Sequence, residues 1–199
     1  MRAGSTAAAL LVVTLVVAAG TGVSAHRYDE YLHASRIAIA PGSIRIEVSL
    51  TPGMAVADAV IGEIDSNRDV VLSAAERQAY AQRVRGGLSL RLDAADVPLK
   101  LMEWTVPAVA ALRGGDAAIT IVVDARLPQS AAGSHRLSFR NANVAHGAVY
   151  LANALLPEDE RVSITGMTHA VDQSGLTVAY TVRPQRSWSQ LLRGFLGPV

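Results

Sequence analysis

From Ile44 to Leu50 every second residue is apolar: Ile44, Ile46, Val48 and Leu50 alternate with Arg45, Glu47 and Ser49. A strand sends successive side chains to opposite faces, so this run has one oily face and one polar face, a division that helical spacing cannot produce. Ile37 and Ile39 alternate in the same way just upstream, and Pro41-Gly42 supplies a turn, so the segment reads as a hairpin with one buried face. The pattern returns at Leu88, Leu90 and Leu92, at Ile119, Ile121 and Val123, and at Leu137 and Phe139. It returns again at Val162 and Ile164 and at Leu176, Val178, Tyr180 and Val182, with Asp172-Gln-Ser-Gly175 between them as a turn whose glycine is available for a positive φ. Short strands spaced by turns in this way predict a mainly β fold, an antiparallel sandwich.

One stretch breaks the alternation. Val56, Val60, Ile61 and Ile64 fall at helical spacing within Met54 to Ile64, which predicts an amphipathic helix. A second helix is expected from Ser73-Ala-Ala-Glu76, where Ser73 can cap and Glu76 can reach back, through Tyr80 and Val84 to Gly86-Gly87. Residues 54–86 are therefore a helix-loop-helix insert between strands of the domain at 26–184. In the tail at 185–199, Trp188, Leu191, Leu192 and Phe195 take positions i, i+3, i+4 and i+7, the mark of a short amphipathic helix that docks on the sandwich, with membrane or partner contact as the alternatives.

The amino terminus reads as a targeting segment. Arg2 precedes an uncharged apolar run from Ala7, and Gly20-Thr-Gly-Val-Ser-Ala25 is a small-residue cleavage region, so cleavage is expected after Ala25. That places the mature chain in the periplasm or outside the cell. Removing residues 1–25 takes Arg2 and no acidic residue, so the excess of 18 basic over 17 acidic residues disappears, and nothing suggests nucleic acid as a partner. Cysteine is absent, so the exported fold must rest on its core rather than on disulfides.

Between the two helices, Asp65-Ser-Asn-Arg-Asp-Val-Val-Leu-Ser-Ala-Ala-Glu76 has the spacing of an EF-hand calcium loop. Ca²⁺ prefers oxygen ligands, and here the ligand positions hold the side chains of Asp65, Asn67 and Asp69, the carbonyl of Val71, Ser73, and Glu76 with both oxygens. Leu72 is the apolar residue expected to pack toward the core. The sixth position normally needs glycine for a sharp turn at positive φ, and here it is Val70. The loop must then bend differently or bind weakly, and Val70→Gly is expected to tighten binding about five- to thirty-fold. The alternative makes Ser73 and Glu76 a capping box and the other carboxylates polar loop groups, in which case glutamine at position 76 should serve as well as glutamate.

Three motifs in order, His26-Arg-Tyr-Asp-Glu-Tyr31, Asp65 to Glu76 and Asn153-Ala-Leu-Leu-Pro157, carry a resemblance. The chain resembles exported bacterial proteins and the extracytoplasmic amino-terminal regions of nickel/cobalt transporters of the hydrogenase and urease accessory type. The resemblance implies a lone EF-hand-like insert in a β-rich domain and a possible partnership with a membrane permease or another extracytoplasmic protein. Two rival functions accompany weak structural Ca²⁺ binding. One is a Cu²⁺ or Ni²⁺ chaperone in which the amine and imidazole of a newly exposed His26 chelate metal, with His33, His135, His146 or His169 as a third nitrogen. The other is a metal-free interaction module. No nucleophile elbow, phosphate loop or His-Glu-x-x-His helix occurs in the sequence, so no enzymatic activity is expected.

Overall fold

The computed structural model describes residues 28–127 and 132–185. The expected signal peptide and cleavage after Ala25, His26, and the apolar tail residues from Trp188 to Phe195 lie outside the described residues. The β-rich architecture follows the alternation. Strands β1 (Tyr31–Ala40) and β2 (Ser43–Pro52) form the hairpin about Pro41-Gly42, with Ile37 opposite Ile46 and Ile39 opposite Ile44. The remaining strands are β3 (Leu88–Leu92), β4 (Ala95–Asp96), β5 (Lys100–Thr105), β6 (Ile119–Arg126), β7 (Gly133–Asn141), β8 (Ala148–Ala154), β9 (Val162–His169) and β10 (Gly175–Val182). They form two five-stranded sheets, ordered β5-β6-β2-β1-β8 and β4-β3-β7-β10-β9.

Among the described residues all pairings are antiparallel except one, since β8 runs parallel to β1 at the edge of the first sheet. Sequence alternation had indicated antiparallel neighbours throughout. The exception arises because the chain passes from β7 in the second sheet to β8 in the first, arriving beside β1 in its own direction. The two inner faces meet through Ile37, Ile46, Val48, Ile121 and Val123 on one side and Leu90, Leu137, Phe139, Val178 and Tyr180 on the other, all buried. The turn before β10 also differs from expectation, because the left-handed residue is Gln173, at φ 58°, and not Gly175.

Among the described residues three helices accompany the sheets: α1 (Met54–Ile64), α2 (Ala74–Gly86) and the short α3 (Val109–Arg113). As the spacing predicts, α1 buries Val56, Val60, Ile61 and Ile64, and α2 buries Tyr80 and Val84. The insert is tied to the sheet by a buried hydrogen bond of 2.6 Å between the hydroxyls of Tyr31 and Tyr80. No helix among the described residues is long and apolar enough to cross a membrane.

Candidate functional site

The helices α1 and α2 hold the two ends of the loop from Asp65 to Glu76. Asp65 follows α1 directly and donates its N–H to the Ile61 carbonyl at 2.8 Å, while Ser73 caps α2. Leu72 is buried, as expected, and its side chain pins the loop to the domain. Asp65 is also buried, and its carboxylate organises the backbone ahead of it. One oxygen accepts from the Asp69 N–H at 3.2 Å and the other from the Val70 N–H at 2.8 Å. Asn67 and Asp69 repeat the device, with Asn67 Oδ1 accepting from the Asp69 N–H at 3.1 Å and Asp69 Oδ1 from the Val71 N–H at 2.8 Å.

These bonds curl the chain into a turn that carries two non-glycine residues in left-handed conformation, Arg68 at φ 60° and Val70 at φ 65°. The loop therefore does not bend differently to accommodate the valine. It bends as glycine at the sixth position would, with the Val70 side chain 54% exposed and gaining little from packing.

Glu76 behaves differently from a waiting ligand. Its Oε1 accepts from the N–H and the hydroxyl of Ser66, both at 2.8 Å, and its Oε2 accepts from the N–H and the hydroxyl of Ser73 at 2.9 and 2.8 Å. Ser73 Oγ in turn accepts the Glu76 N–H at 3.2 Å, which completes the capping box. The carboxylate thus clamps the first turn of the loop to its last. Hydrogen bonds from Ser73 and then Ser66 pull the Glu76 pKa down to about 2, so the clamp is anionic at neutral pH. Ser66 is the participant that sequence reasoning missed, because it stands at the loop's second position, to which the calcium pattern assigns no ligand. The clamp also changes the expectation for glutamine at 76: both carboxylate oxygens act as acceptors, and an amide offers only one.

Asp65, Asn67 and Asp69 are brought to one turn, Ser73 and Glu76 to its far side, and Val71 lies exposed between them. Among the described residues no group of three or more His, Cys, Asp or Glu side chains is placed to hold a metal ion. The donor chemistry, all oxygen, and the backbone suit a hard cation; the Glu76 carboxylate is committed to the loop itself.

The described histidines are dispersed. His33 is buried between the sheets, edge-on to Tyr31 and Tyr150 at ring distances of 4.5 and 5.1 Å. His135 contacts Asp93 at 3.1 Å, His146 is exposed, and His169 contacts Asn153 at 3.3 Å. Comparison with protein-family models and with curated proteins finds no match. The functional reading accordingly rests on the loop and its surroundings.

Proposed function

We propose that the chain is a non-catalytic binding or accessory domain working outside the cytoplasm, with residues 65–76 as a weak structural Ca²⁺ site. One observation carries the reading: Val70, β-branched and exposed, is held at φ 65° by the carboxylate of Asp65, in the conformation that the sixth position of a calcium loop requires. A non-glycine residue kept in a sparsely populated conformation, with no packing gain, points to a function for the turn. Asp65, Asn67, Asp69, the Val71 carbonyl, Ser73 and Glu76 would hold the ion. Its charge would offset the mutual repulsion of three carboxylates and join the ends of α1 and α2.

Glu76 must exchange the N–H groups of Ser66 and Ser73 for the ion, which favours affinity at the weak end, about 10⁻⁴ to 10⁻³ M. The same clamp supports a second reading, in which the loop is a metal-free polar connector closed by Glu76. Titration calorimetry with Ca²⁺, together with thermal unfolding in Ca²⁺ and in chelator, separates the two. Binding heat and a higher midpoint in Ca²⁺, both lost in Asp69→Ala, are expected. Wild-type protein with no heat and an unmoved midpoint leaves the connector. The partnership with a nickel or cobalt permease stays a proposal resting on the three-motif resemblance.

A further inference from the structure

A strand at the end of a sheet leaves a row of backbone donors and acceptors open to a further strand, and folded chains blunt such edges with charge, brevity or bulges. Among the described residues the two sheets end in β5, β8, β4 and β9, and three of these strands carry such a device. β5 sets Lys100 and Glu103 about an irregularity in its pairing, β4 has two residues, and β9 has Gly166 beside a break in its register with β10. β8 has none. From Gly147 to Pro157 the chain holds no charged residue, and between Ala148 and Ala154 it holds no glycine or proline. Val149 and Leu151 are exposed, beside the half-buried Leu32 and Ala34 of β1. The charged residue that follows on this face of β1, Arg36, is ion-paired with Glu47.

The ladder to β1 fixes which backbone groups of β8 point outward. The Gly147 carbonyl accepts from the Tyr31 N–H, and the Leu155 N–H donates to the Ile37 carbonyl, both at 2.8 Å. Residues with odd numbers therefore turn their backbone groups to β1, and Ala148, Tyr150, Ala152 and Ala154 turn theirs to the other side. Of these groups, the Ala148 N–H is already given to the Ala145 carbonyl at 3.2 Å. Laid antiparallel on a copy of itself about Leu151, β8 puts Tyr150 opposite Ala152 and Ala148 opposite Ala154, outward residue against outward residue. A slip of one residue destroys that match. The same register sets the large Tyr150 against a small alanine and Leu151 against Leu151, and it brings no like charges together. Asn153, which His169 of β9 contacts at 3.3 Å, falls opposite Val149. We propose that the chain forms a two-fold homodimer in which β8 pairs antiparallel with the β8 of a second copy, making one continuous sheet with Leu151 at the axis.

Sedimentation of the purified chain over a dilution series tests this, and a dimer is expected. Leu151→Arg, at an exposed position, puts two like charges at the axis and should raise the dissociation midpoint more than about ten-fold while the thermal midpoint of the monomer hardly moves. The chain has no cysteine, so single cysteines report the register. Leu151→Cys should form a disulfide between copies under mild oxidation, because residues opposite each other at such a position lie within disulfide reach. Val149→Cys should not, since it faces Asn153 of the second copy. This pair of variants decides the matter if the arginine variant fails to fold. A dimer that Leu151→Arg leaves intact would overturn the proposal by placing the interface elsewhere, and equal linking by both cysteines would overturn the register. A monomer at every concentration would overturn it too. Slow hydrogen exchange at the Tyr150 and Ala152 amides of that monomer would then assign the edge to the chain's own remaining residues, and fast exchange to a different partner.

Discussion

At Val70 two opposed effects can be weighed. The left-handed conformation costs a non-glycine residue roughly 1 to 2 kcal/mol, and glycine loses roughly 0.5 to 1 kcal/mol of this advantage through its freer unfolded chain. Strain is the larger, so Val70→Gly is expected to raise folding stability by up to about 1 kcal/mol. The sequence alone suggested that the relief would appear as tighter calcium binding. The structure redirects it, because Asp65 and Glu76 hold the turn with hydrogen bonds from the loop itself, so the strain at φ 65° belongs to folding. Calcium affinity should hardly move. Urea unfolding and calorimetry on the same variant check this, and tighter binding at unchanged stability would contradict it.

Among the elements, the insert and the sheet are joined at Tyr31 and Tyr80, whose hydroxyls share a buried hydrogen bond. Burial raises the pKa of both phenols, so they remain neutral donors and acceptors. Tyr80→Phe strands the Tyr31 hydroxyl and is expected to cost about 1 to 3 kcal/mol, whereas adding Tyr31→Phe should recover most of the loss. Additive losses in that double-mutant cycle would show that the bond does not couple β1 to α2. This tie was not legible in the sequence, since it joins residues 49 apart. The strands with one fully buried face were legible, as were α1, α2 and the capping box, because each depends on local spacing. β8 escaped notice because Val149, Tyr150 and Leu151 are apolar in succession, as an edge strand packed on only one side permits. β5 was hidden by an irregularity between Leu101 and Glu103 that breaks the period, and α3, with five residues, is too short to show one. At the candidate site the donor spacing was readable, but the choice of Ser66 and Ser73 as partners for Glu76 is a matter of side-chain rotamers that spacing does not encode.

For the molecule as a whole, pH reports on the interior. His33 is 3% exposed, neither ring nitrogen has a hydrogen-bond partner among the described residues, and burial lowers its pKa from 6.5 to about 4. Above about pH 6.5 the imidazole is neutral whether the chain is folded or unfolded, and it makes stability no function of pH. Between about 6.5 and 4 the unfolded chain takes up a proton that the folded chain refuses, so stability falls as the solution is acidified, by roughly 3 kcal/mol in all. Glu76 and Asp159, both held near 2 by hydrogen bonds to their charged forms, add a second decline that begins only below their unfolded values near 4. The two declines can be separated with one substitution. His33→Leu removes two unpartnered nitrogens, a gain of about 1 to 3 kcal/mol, and gives up two edge-on aromatic contacts worth about 0.5 to 1.5 kcal/mol each, so near pH 7.5 the effects nearly cancel. Toward pH 4 the variant should pull ahead of wild type, because only wild type meets the cost of its neutral imidazole there. Thermal midpoints measured from pH 7.5 down to 4.5 should therefore fall for wild type and stay nearly level for His33→Leu, while parallel curves would assign the acid sensitivity of this range to groups other than His33.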